Sequence, residues 1–205
     1  MDLTDNALDK KGSLFVLSGP SGAGKDAIMA RLREQCFPLR FGVTATTRRM
    51  RDGEVHGRDY FFVTEEQFDQ MVANDEMLEW AWVHGKRYGV PRWHTRELIQ
   101  AGHDVLLRVD VQGAASIRAK VPQAVLIFLT VPSIEALEKR LAKRNTETKE
   151  ELALRLANAR EEMRRQDEFD YLVFNDEGRL EEAVEKVRAI VLAEKCRLRR
   201  TETTL

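Results

Sequence analysis

The chain has 205 residues, of which 43% are hydrophobic and 33% are charged, a composition typical of a globular protein with one large core. Its 33 basic and 34 acidic residues leave a formal net charge of -1, so there is no electrostatic basis for sequence-independent binding to DNA or RNA. We therefore expect no nucleic-acid partner, and any phosphate site must be built locally.

The chain start, the apolar runs and the cysteines predict a cytoplasmic protein. Residues 1–11 are polar and contain three Asp, so we expect a disordered N-terminal tail and not a signal or transit peptide. The longest apolar runs, residues 14–17 and 124–131, are too short to cross a bilayer, so we expect no membrane partner. Cys36 and Cys196 lie far apart without metal-ligand neighbours, which favours two reduced thiols.

Short apolar runs alternate with helical patterns along most of the chain. Five runs predict buried strands: residues 13–18, 40–44, 104–109, 124–130 and 171–174. Apolar residues at helical spacing follow Lys25 and recur in three later segments: residues 134–141, 152–163 and 180–191. This alternation is typical of a parallel sheet with helices on both faces.

Two stretches interrupt the alternation. Residues 45–91 are rich in aromatic side chains and contain the turn signals Asp52-Gly53 and His84-Gly85, which favour a small inserted β-rich unit with one short helix. Residues 140–165 are dense in charge, with a turn predicted at Asn145-Thr146. We expect an exposed helical hairpin there, of the kind that can act as a moving lid.

A glycine-rich turn connects the first strand to the first helix. It fits the pattern G-x-x-x-x-G-K, and its residues are Gly19, Pro20, Ser21, Gly22, Ala23, Gly24 and Lys25. In such a loop the backbone N–H groups and the helix N-terminus surround phosphate oxygens, and the lysine adds a full positive charge. The alternative is a turn that only starts a helix, but the preceding strand and the lysine favour phosphate binding.

The residue after the lysine departs from this pattern, because Asp26 stands where Ser or Thr normally contacts Mg²⁺. A carboxylate is a good Mg²⁺ ligand, yet it adds negative charge near phosphates. Two interpretations stay open: Asp26 binds the metal, directly or through water, or it caps the start of the helix.

Seven segments, in one order along residues 12–195, resemble the motifs of guanylate kinases. They are VTATTR (residues 43–48), G-E-V-x-G-x-D-Y-x-F (53–62), LEWA (78–81), YG (88–89), DVQG (110–113), TET (146–148) and VFND (173–176). The segments Lys25-Asp26-Ala27 and LRVD (107–110) are closest to the branch of plant organelles and some bacteria.

The resemblance implies an α/β P-loop nucleoside monophosphate kinase, with a five-stranded parallel sheet flanked by helices, an inserted small β-rich GMP-binding unit and a helical lid. The boundaries that it predicts are a P-loop core (12–44, 92–138 and 160–195), a GMP-binding unit (45–91), a lid (139–159) and a C-terminal tail (196–205). The implied reaction is phosphoryl transfer from ATP to GMP with Mg²⁺ as cofactor, by a monomer or homo-oligomer.

For the acceptor, the resemblance implies a GMP site made by Thr44, Arg48, Arg51, Tyr60, Glu79, Tyr88 and Asp110. The guanidinium groups and tyrosine hydroxyls would hold the GMP phosphate, although a basic surface loop explains the arginine spacing equally well. Glu79 would accept hydrogen bonds from guanine N1–H and the 2-amino group, which adenine does not offer. Thr44 would touch the base, and Asp110 would lie between the base and the metal.

For the donor, the resemblance adds Arg140 against adenine and Asn175 near the adenine edge to the loop residues, Lys25 and Asp26. Arg144 and Arg155 would swing onto the phosphates, so the implied catalytic residues are Lys25, Arg48, Arg144 and Arg155, with Asp26 as metal ligand. Without the resemblance, a solvated helix face explains the three arginines between 140 and 155 better.

Two positions depart from the family. Val90 stands where Ser or Thr often contacts guanine O6, and losing one neutral hydrogen bond there weakens discrimination by about 1–2 kcal/mol. Arg108 stands where an acidic residue is common, and we assign it no role. Two other functions are considered: a related kinase acting on ribose 1,5-bisphosphate, and a non-catalytic guanylate-kinase-like scaffold.

Overall fold

The computed structural model describes residues 12–142, 149–197 and 203–205. Its strands are β1 (Leu14–Ser18), β2 (Arg40–Phe41), β3 (Ala45–Thr46), β4 (Phe61–Phe62), β5 (Met77–Val83), β6 (Lys86–Pro91), β7 (Val105–Arg108), β8 (Val125–Thr130) and β9 (Tyr171–Phe174). Its helices are α1 (Lys25–Glu34), α2 (Glu65–Ala73), α3 (Arg92–Gln100), α4 (Val111–Lys120), α5 (Ile134–Ala142), α6 (Lys149–Arg164) and α7 (Leu180–Lys195), with a short 3₁₀ helix at Gln166–Glu168.

Five strands form a parallel sheet in the order β2-β7-β1-β8-β9, which confirms the predicted sheet. The central strand β1 is completely buried because helices cover both faces of the sheet. Phe15 and Leu17 pack with α1 and α7 on one face, whereas Leu14 and Val16 pack with α3 and α4 on the other. The second strand is shorter than predicted, because after Phe41 the chain leaves this sheet.

The chain between β2 and α3 forms a second, mixed sheet of four strands in the order β4-β3-β6-β5. Strands β5 and β6 form a hairpin whose turn residues, His84 and Gly85, both have positive φ, as a two-residue hairpin turn requires. Helix α2 begins with a capping box of Thr64 and Gln67 and buries Phe68 against the sheet. The predicted β-rich unit with one short helix is therefore present.

The charged stretch at residues 140–165 contains the end of α5 and all of α6. These helices pack together through Leu137, Leu141, Leu156 and Ala159. The turn predicted at Asn145-Thr146 lies outside the described residues. Leu205, the last residue of the predicted C-terminal tail, packs against the core cluster beside α3.

The parallel sheet brings four loops to one edge. The glycine loop follows β1, Asp110 follows β7 and Asn175 follows β9, and the segment that leads into the second sheet follows β2. Because parallel strands end at the same edge, ligand sites in such sheets lie at this edge. In the described part of the chain, no helix is long and apolar enough to span a membrane.

Phe68 provides a test of the small core under the second sheet. Its side chain is fully buried, so Phe68→Ala should lower the free energy of unfolding by about 3–5 kcal/mol, measured by urea denaturation. Trp82→Ala is the matched control, since this aromatic residue of the same unit is 61% exposed and its loss should cost less than about 1 kcal/mol. Equal losses would contradict the assigned packing.

Candidate active site

The loop between β1 and α1 has a backbone that requires glycine. Gly19 and Gly24 have φ values of +136° and +99°. A Cβ on Gly19 would lie 1.9 Å from the Leu129 carbonyl oxygen, and one on Gly24 would lie 2.3 Å from Asn175 Nδ2. Gly24 is also the N-cap of α1 and provides no side-chain hydrogen bond, so the first N–H groups of the helix face the loop.

The ammonium group of Lys25 lies inside this loop. Its Nζ donates to the carbonyl oxygens of Gly19 at 2.5 Å and Pro20 at 3.1 Å. Burial lowers the pKa of Lys25 to about 8, an effect that the nearby carboxylate of Glu162 opposes. An anion bound in the loop would favour the charged ammonium, so the site is suited to a strongly negative ligand.

Helix α6 contacts the loop through one cation and one carboxylate. Arg155 Nη2 donates to Ser21 Oγ at 2.7 Å, and Glu162 Oε2 accepts from the Ser21 backbone N–H at 3.3 Å. Burial raises the pKa of Glu162, whereas the Ser21 N–H and the charge of Lys25 lower it. The structure thus brings Arg155 to the loop, and Arg144 lies outside the described residues. Sequence reasoning missed Glu162 because nothing distinguishes it from its charged neighbours.

Arg140 and Asn175 hold the far side of the loop. Arg140 donates to the carbonyl oxygens of Ala23 at 3.3 Å and Asn175 at 2.6 Å, and the buried Asn175 amide donates to Ala23 O at 2.8 Å. Both side chains also line a cavity of about 310 Å³ that extends to Gly178 and Leu180. The cavity lies next to the glycine loop, where a base attached to bound phosphates could be placed.

Arg48 is the centre of a second group of residues, in the inserted unit. It donates to both carboxylate oxygens of Glu54, at 3.1 and 2.7 Å, and this pair raises the pKa of Arg48. The Tyr88 side chain also raises the pKa of Arg48, and the Arg48 guanidinium lies 5.3 Å from the centre of the Tyr60 ring. Three of the four predicted phosphate ligands therefore meet. The exposed Arg51 lies at the edge, where its backbone N–H donates to Glu54 at 2.8 Å.

Arg87 fixes the strand next to Tyr88, and sequence reasoning missed it. Its backbone exchanges two hydrogen bonds with Thr47, the residue before Arg48, both at 3.1 Å. Its buried guanidinium donates to Glu65 at 2.9 Å and Asp69 at 2.5 Å, which attaches the strand to α2. Arg87 therefore holds the strand that carries Tyr88 against Thr47 and α2.

Glu79 and Asp110 lie on either side of Gly113. A Cβ on Gly113 would lie 3.0 Å from Glu79 Oε2 and 3.3 Å from Asp110 Oδ1, so glycine leaves room for both carboxyl groups. Asp110 caps α4 by accepting from the Gly113 N–H at 2.7 Å. Burial raises the pKa of Glu79 to about 8, and the charge of Asp110 adds to this shift. Glu79 is therefore mainly protonated at neutral pH without a ligand.

Two further positions, Val90 and Thr44, are predicted to lie near the base. Val90 is buried directly across the strand pair from Glu79, so no hydroxyl is present at this position. Thr44 is half-buried in the link to the second sheet, where its carbonyl oxygen accepts from the Phe61 N–H at 2.9 Å. Glu79 is thus the one charged side chain of strand β5.

Asp110 connects the two halves of the site. Its charge acts on Lys25 in the loop and on Glu79 in the inserted unit. The loop and the Glu79 pocket therefore lie within electrostatic reach of one carboxylate, at the edge where the parallel strands end. This arrangement suits a reaction between two ligands, one bound on each side.

Asp26 does not cap α1. It is the second residue of the helix, after the N-cap Gly24, and its side chain is 82% exposed. Its Oδ1 lies 3.1 Å from Arg108 Nε. The capping interpretation is therefore not supported, and Arg108, for which the sequence suggested no role, is the partner of Asp26.

Comparison with known proteins identifies similar chains. The sequence model of the family described as guanylate kinase matches residues 11–194. The chloroplastic/mitochondrial guanylate kinase 2 of Oryza sativa subsp. japonica is 49% identical over 186 residues, which cover 90% of this chain but only 65% of the rice protein. The guanylate kinase of Caldanaerobacter subterraneus subsp. tengcongensis is 44% identical over 196 residues, covering 96% of this chain and 94% of that protein.

A solved structure agrees with these sequence matches. The crystal structure of guanylate kinase from Anaplasma phagocytophilum superposes with a TM-score of 0.71 at 32% identity, and the match covers 93% of this chain and 90% of that one. The fold and the sequence are thus similar to the same group of proteins over nearly the whole chain.

The raised pKa of Glu79 predicts a pH-dependent stability. The folded pKa of about 8 lies above the unfolded value of 4.5, so the stabilisation is complete below about pH 4.5 and is lost as the pH rises through about 8. Glu79→Gln lacks this titration, so its free energy of unfolding relative to the unsubstituted protein should increase by about 2–3 kcal/mol between pH 5.5 and 7.5. Urea denaturation at both pH values measures the difference.

Glu138→Gln is the control for this measurement, because it changes an exposed carboxyl group on α5. Its effect on stability should be the same at both pH values. A pH-independent effect of Glu79→Gln would show that the Glu79 carboxyl group titrates normally.

Proposed function

The chain belongs to the guanylate kinase family, and we propose that it transfers a phosphoryl group from ATP to GMP through the two-sided site at the edge of its parallel sheet. The products are ADP and GDP. The observation that carries this assignment is that Glu79 and Asp110 meet beside Gly113, and that the charge of Asp110 also acts on Lys25 in the glycine loop. A phosphate loop alone would leave the acceptor undefined, and the Glu79 carboxyl group defines it.

On the acceptor side, the GMP phosphate binds to Arg48 with the hydroxyl groups of Tyr60 and Tyr88, and Arg51 closes from the edge. In the ligand-free structure, Glu54 already orients the Arg48 guanidinium, so the GMP phosphate binds to a group that is in place beforehand. The rings of Tyr60 and Tyr88 meet edge to face, with centroids 6.0 Å apart, which supports their placement around one ligand.

The base is selected by Glu79. Guanine presents N1–H and a 2-amino group, two donors that a carboxylate accepts, whereas adenine presents an acceptor at N1 and no 2-amino group. Because the pKa of Glu79 is about 8 without a ligand, binding of the two donors favours the ionised form and releases a proton near neutral pH. Thr44 contacts the base from the link between the sheets. Val90 offers no donor to guanine O6.

On the donor side, the ATP phosphates bind the loop N–H groups and Lys25. A phosphate oxygen takes the place of the Glu162 carboxylate at the Ser21 N–H, and Arg155 turns from Ser21 Oγ to the phosphates. Arg144 contributes a second lid cation. The adenine lies in the cavity beside Arg140 and Asn175.

The residues present fit a magnesium ion that is bound together with ATP. Within the described ranges, no three His, Cys, Asp or Glu side chains form a group that could hold a metal ion. Mg²⁺ is usually bound by one or two carboxylates together with substrate phosphates, and the exposed carboxylate of Asp26 at the loop suits that arrangement. The ion would offset negative charge on the phosphates.

The reaction needs positioning and charge neutralisation but no general base. A GMP phosphate oxygen is ionised at neutral pH and attacks the γ-phosphorus of ATP in line. Lys25 and the lid arginines stabilise the negative charge on the transferred group, in a site from which water is displaced. Contacts from α6 reach the loop directly, so closure of this helix over ATP couples binding to the exclusion of water.

Lys25→Met and Arg48→Ala test the two halves of the site. Each should lower the rate of GDP formation at least about 100-fold, because each removes a charge that contacts a reacting phosphate. The matched controls are Lys186→Met on α7 and Arg58→Ala, an exposed residue near Arg48. Near-normal turnover by either active-site variant, with an unchanged melting curve, would contradict the assignment.

A coupled assay that offers GMP, AMP and ribose 1,5-bisphosphate with ATP tests the acceptor. We expect turnover with GMP, because Glu79 and the Arg48 group match its base and its phosphate. Turnover of ribose 1,5-bisphosphate without GMP would support the related kinase. Phosphopeptide binding without turnover would support the scaffold.

A further inference from the structure

Arg108 lies at the junction of the loop and the acceptor site. It is the last residue of β7 and pairs with Leu17 at the end of β1. Side chains alternate along β7, so Leu107 faces the cluster beside α4 and Leu106 faces α1. Arg108 therefore projects on the same side as Leu106, toward the first turn of α1, where it meets Asp26.

Asp26 and Arg108 form an ion pair that a ligand could exchange. Their side chains are 82% and 45% exposed, and ion pairs in such surroundings contribute little to stability. The positive charge of Arg108 also lowers the pKa of Lys25, because it disfavours a second positive charge nearby. In the absence of phosphates, Asp26 pairs with Arg108, and its negative charge also favours the charged form of Lys25.

We propose that Asp26 holds Arg108 away from the phosphate site, and that Arg108 turns to contact the ATP phosphates when Asp26 takes another partner. A divalent cation at Asp26 would repel the guanidinium, while the phosphates on the other side attract it. This exchange explains how a carboxylate is tolerated next to a phosphate loop, because its charge is balanced by Arg108 in one state and by the metal in the other. The inference rests on the proposed donor site.

A thermodynamic cycle tests the exchange by binding alone. The probe is the non-hydrolysable ATP analogue with an imido group between the β- and γ-phosphates, titrated by calorimetry in EDTA. Arg108→Met should change its affinity less than about twofold when Asp26 is present, because Asp26 already holds the guanidinium. In the Asp26→Asn background, Arg108→Met should weaken binding about tenfold, because Arg108 is then free to contact the phosphates.

When the same titration is carried out with Mg²⁺, we expect Arg108 to contribute to the affinity for the analogue even when Asp26 is present. Arg108→Met should then weaken analogue binding about tenfold and lower the rate of GDP formation, and Arg108→Lys should restore part of both. Arg31→Met is the matched control, since Arg31 lies on α1, is 40% exposed and pairs with Glu34 and Glu181 away from the loop. It should change neither quantity.

Each outcome decides the inference. Equal effects of Arg108→Met with and without Asp26 would mean that the two residues act independently, and no effect in any background would mean that Arg108 never reaches the phosphates. Either result would overturn the exchange. Absence of GDP formation by the unsubstituted protein would instead refute the proposed function, because the binding cycle does not require turnover.

Discussion

The site depends on the dehydration of two charged groups at one edge of the parallel sheet. Burial moves the pKa of Lys25 down and the pKa of Glu79 up, each to about 8, so neither group is fully stable in its charged form without a ligand. Under the proposed function, each substrate would supply the missing partner: phosphate oxygens for the ammonium, and N–H donors for the carboxylate. A ligand that offers these groups therefore stabilises the charged forms of Lys25 and Glu79 better than water does at these buried positions.

In the absence of ligands, two arginines of the site pair with carboxylates, and a third carboxylate lies near Lys25. Glu54 binds Arg48, Asp26 pairs with Arg108, and Glu162 lies at the Ser21 N–H near Lys25. Under the proposed function, phosphate oxygens would take the places of these carboxylates, which in the absence of ligand offset the positive charges near them. Because the groups are partly exposed, each pair is weak enough to exchange when its competing partner arrives, which for Asp26 is the proposed divalent cation. Glu162 belongs to α6, so under the proposed function its exchange would link phosphate binding to movement of this helix.

Much of this protein follows from its sequence, because the signals are local. Three of these signals each span only a short contiguous segment: the loop from Gly19 to Lys25, the buried run before it and the helical spacing after it. The motifs that carry the family resemblance are short and contiguous, so they identified Arg48, Tyr60, Glu79 and Tyr88 as one set. The five-stranded parallel sheet and the inserted unit followed from the alternation of apolar runs with helices, although β2 ended earlier than its apolar pattern suggested.

Only the tertiary structure determined which charges face each other. Ser21 meets Glu162 across 141 positions of sequence, and Asp26 meets Arg108 from a different element, so no spacing rule could pair them. The raised pKa of Glu79 depends on burial and on Asp110, and the support that Arg87 gives to Tyr88 depends on the approach of α2. Sequence specifies residues and local structure, whereas dehydration and ion pairing depend on distances between elements, which only the packed fold sets.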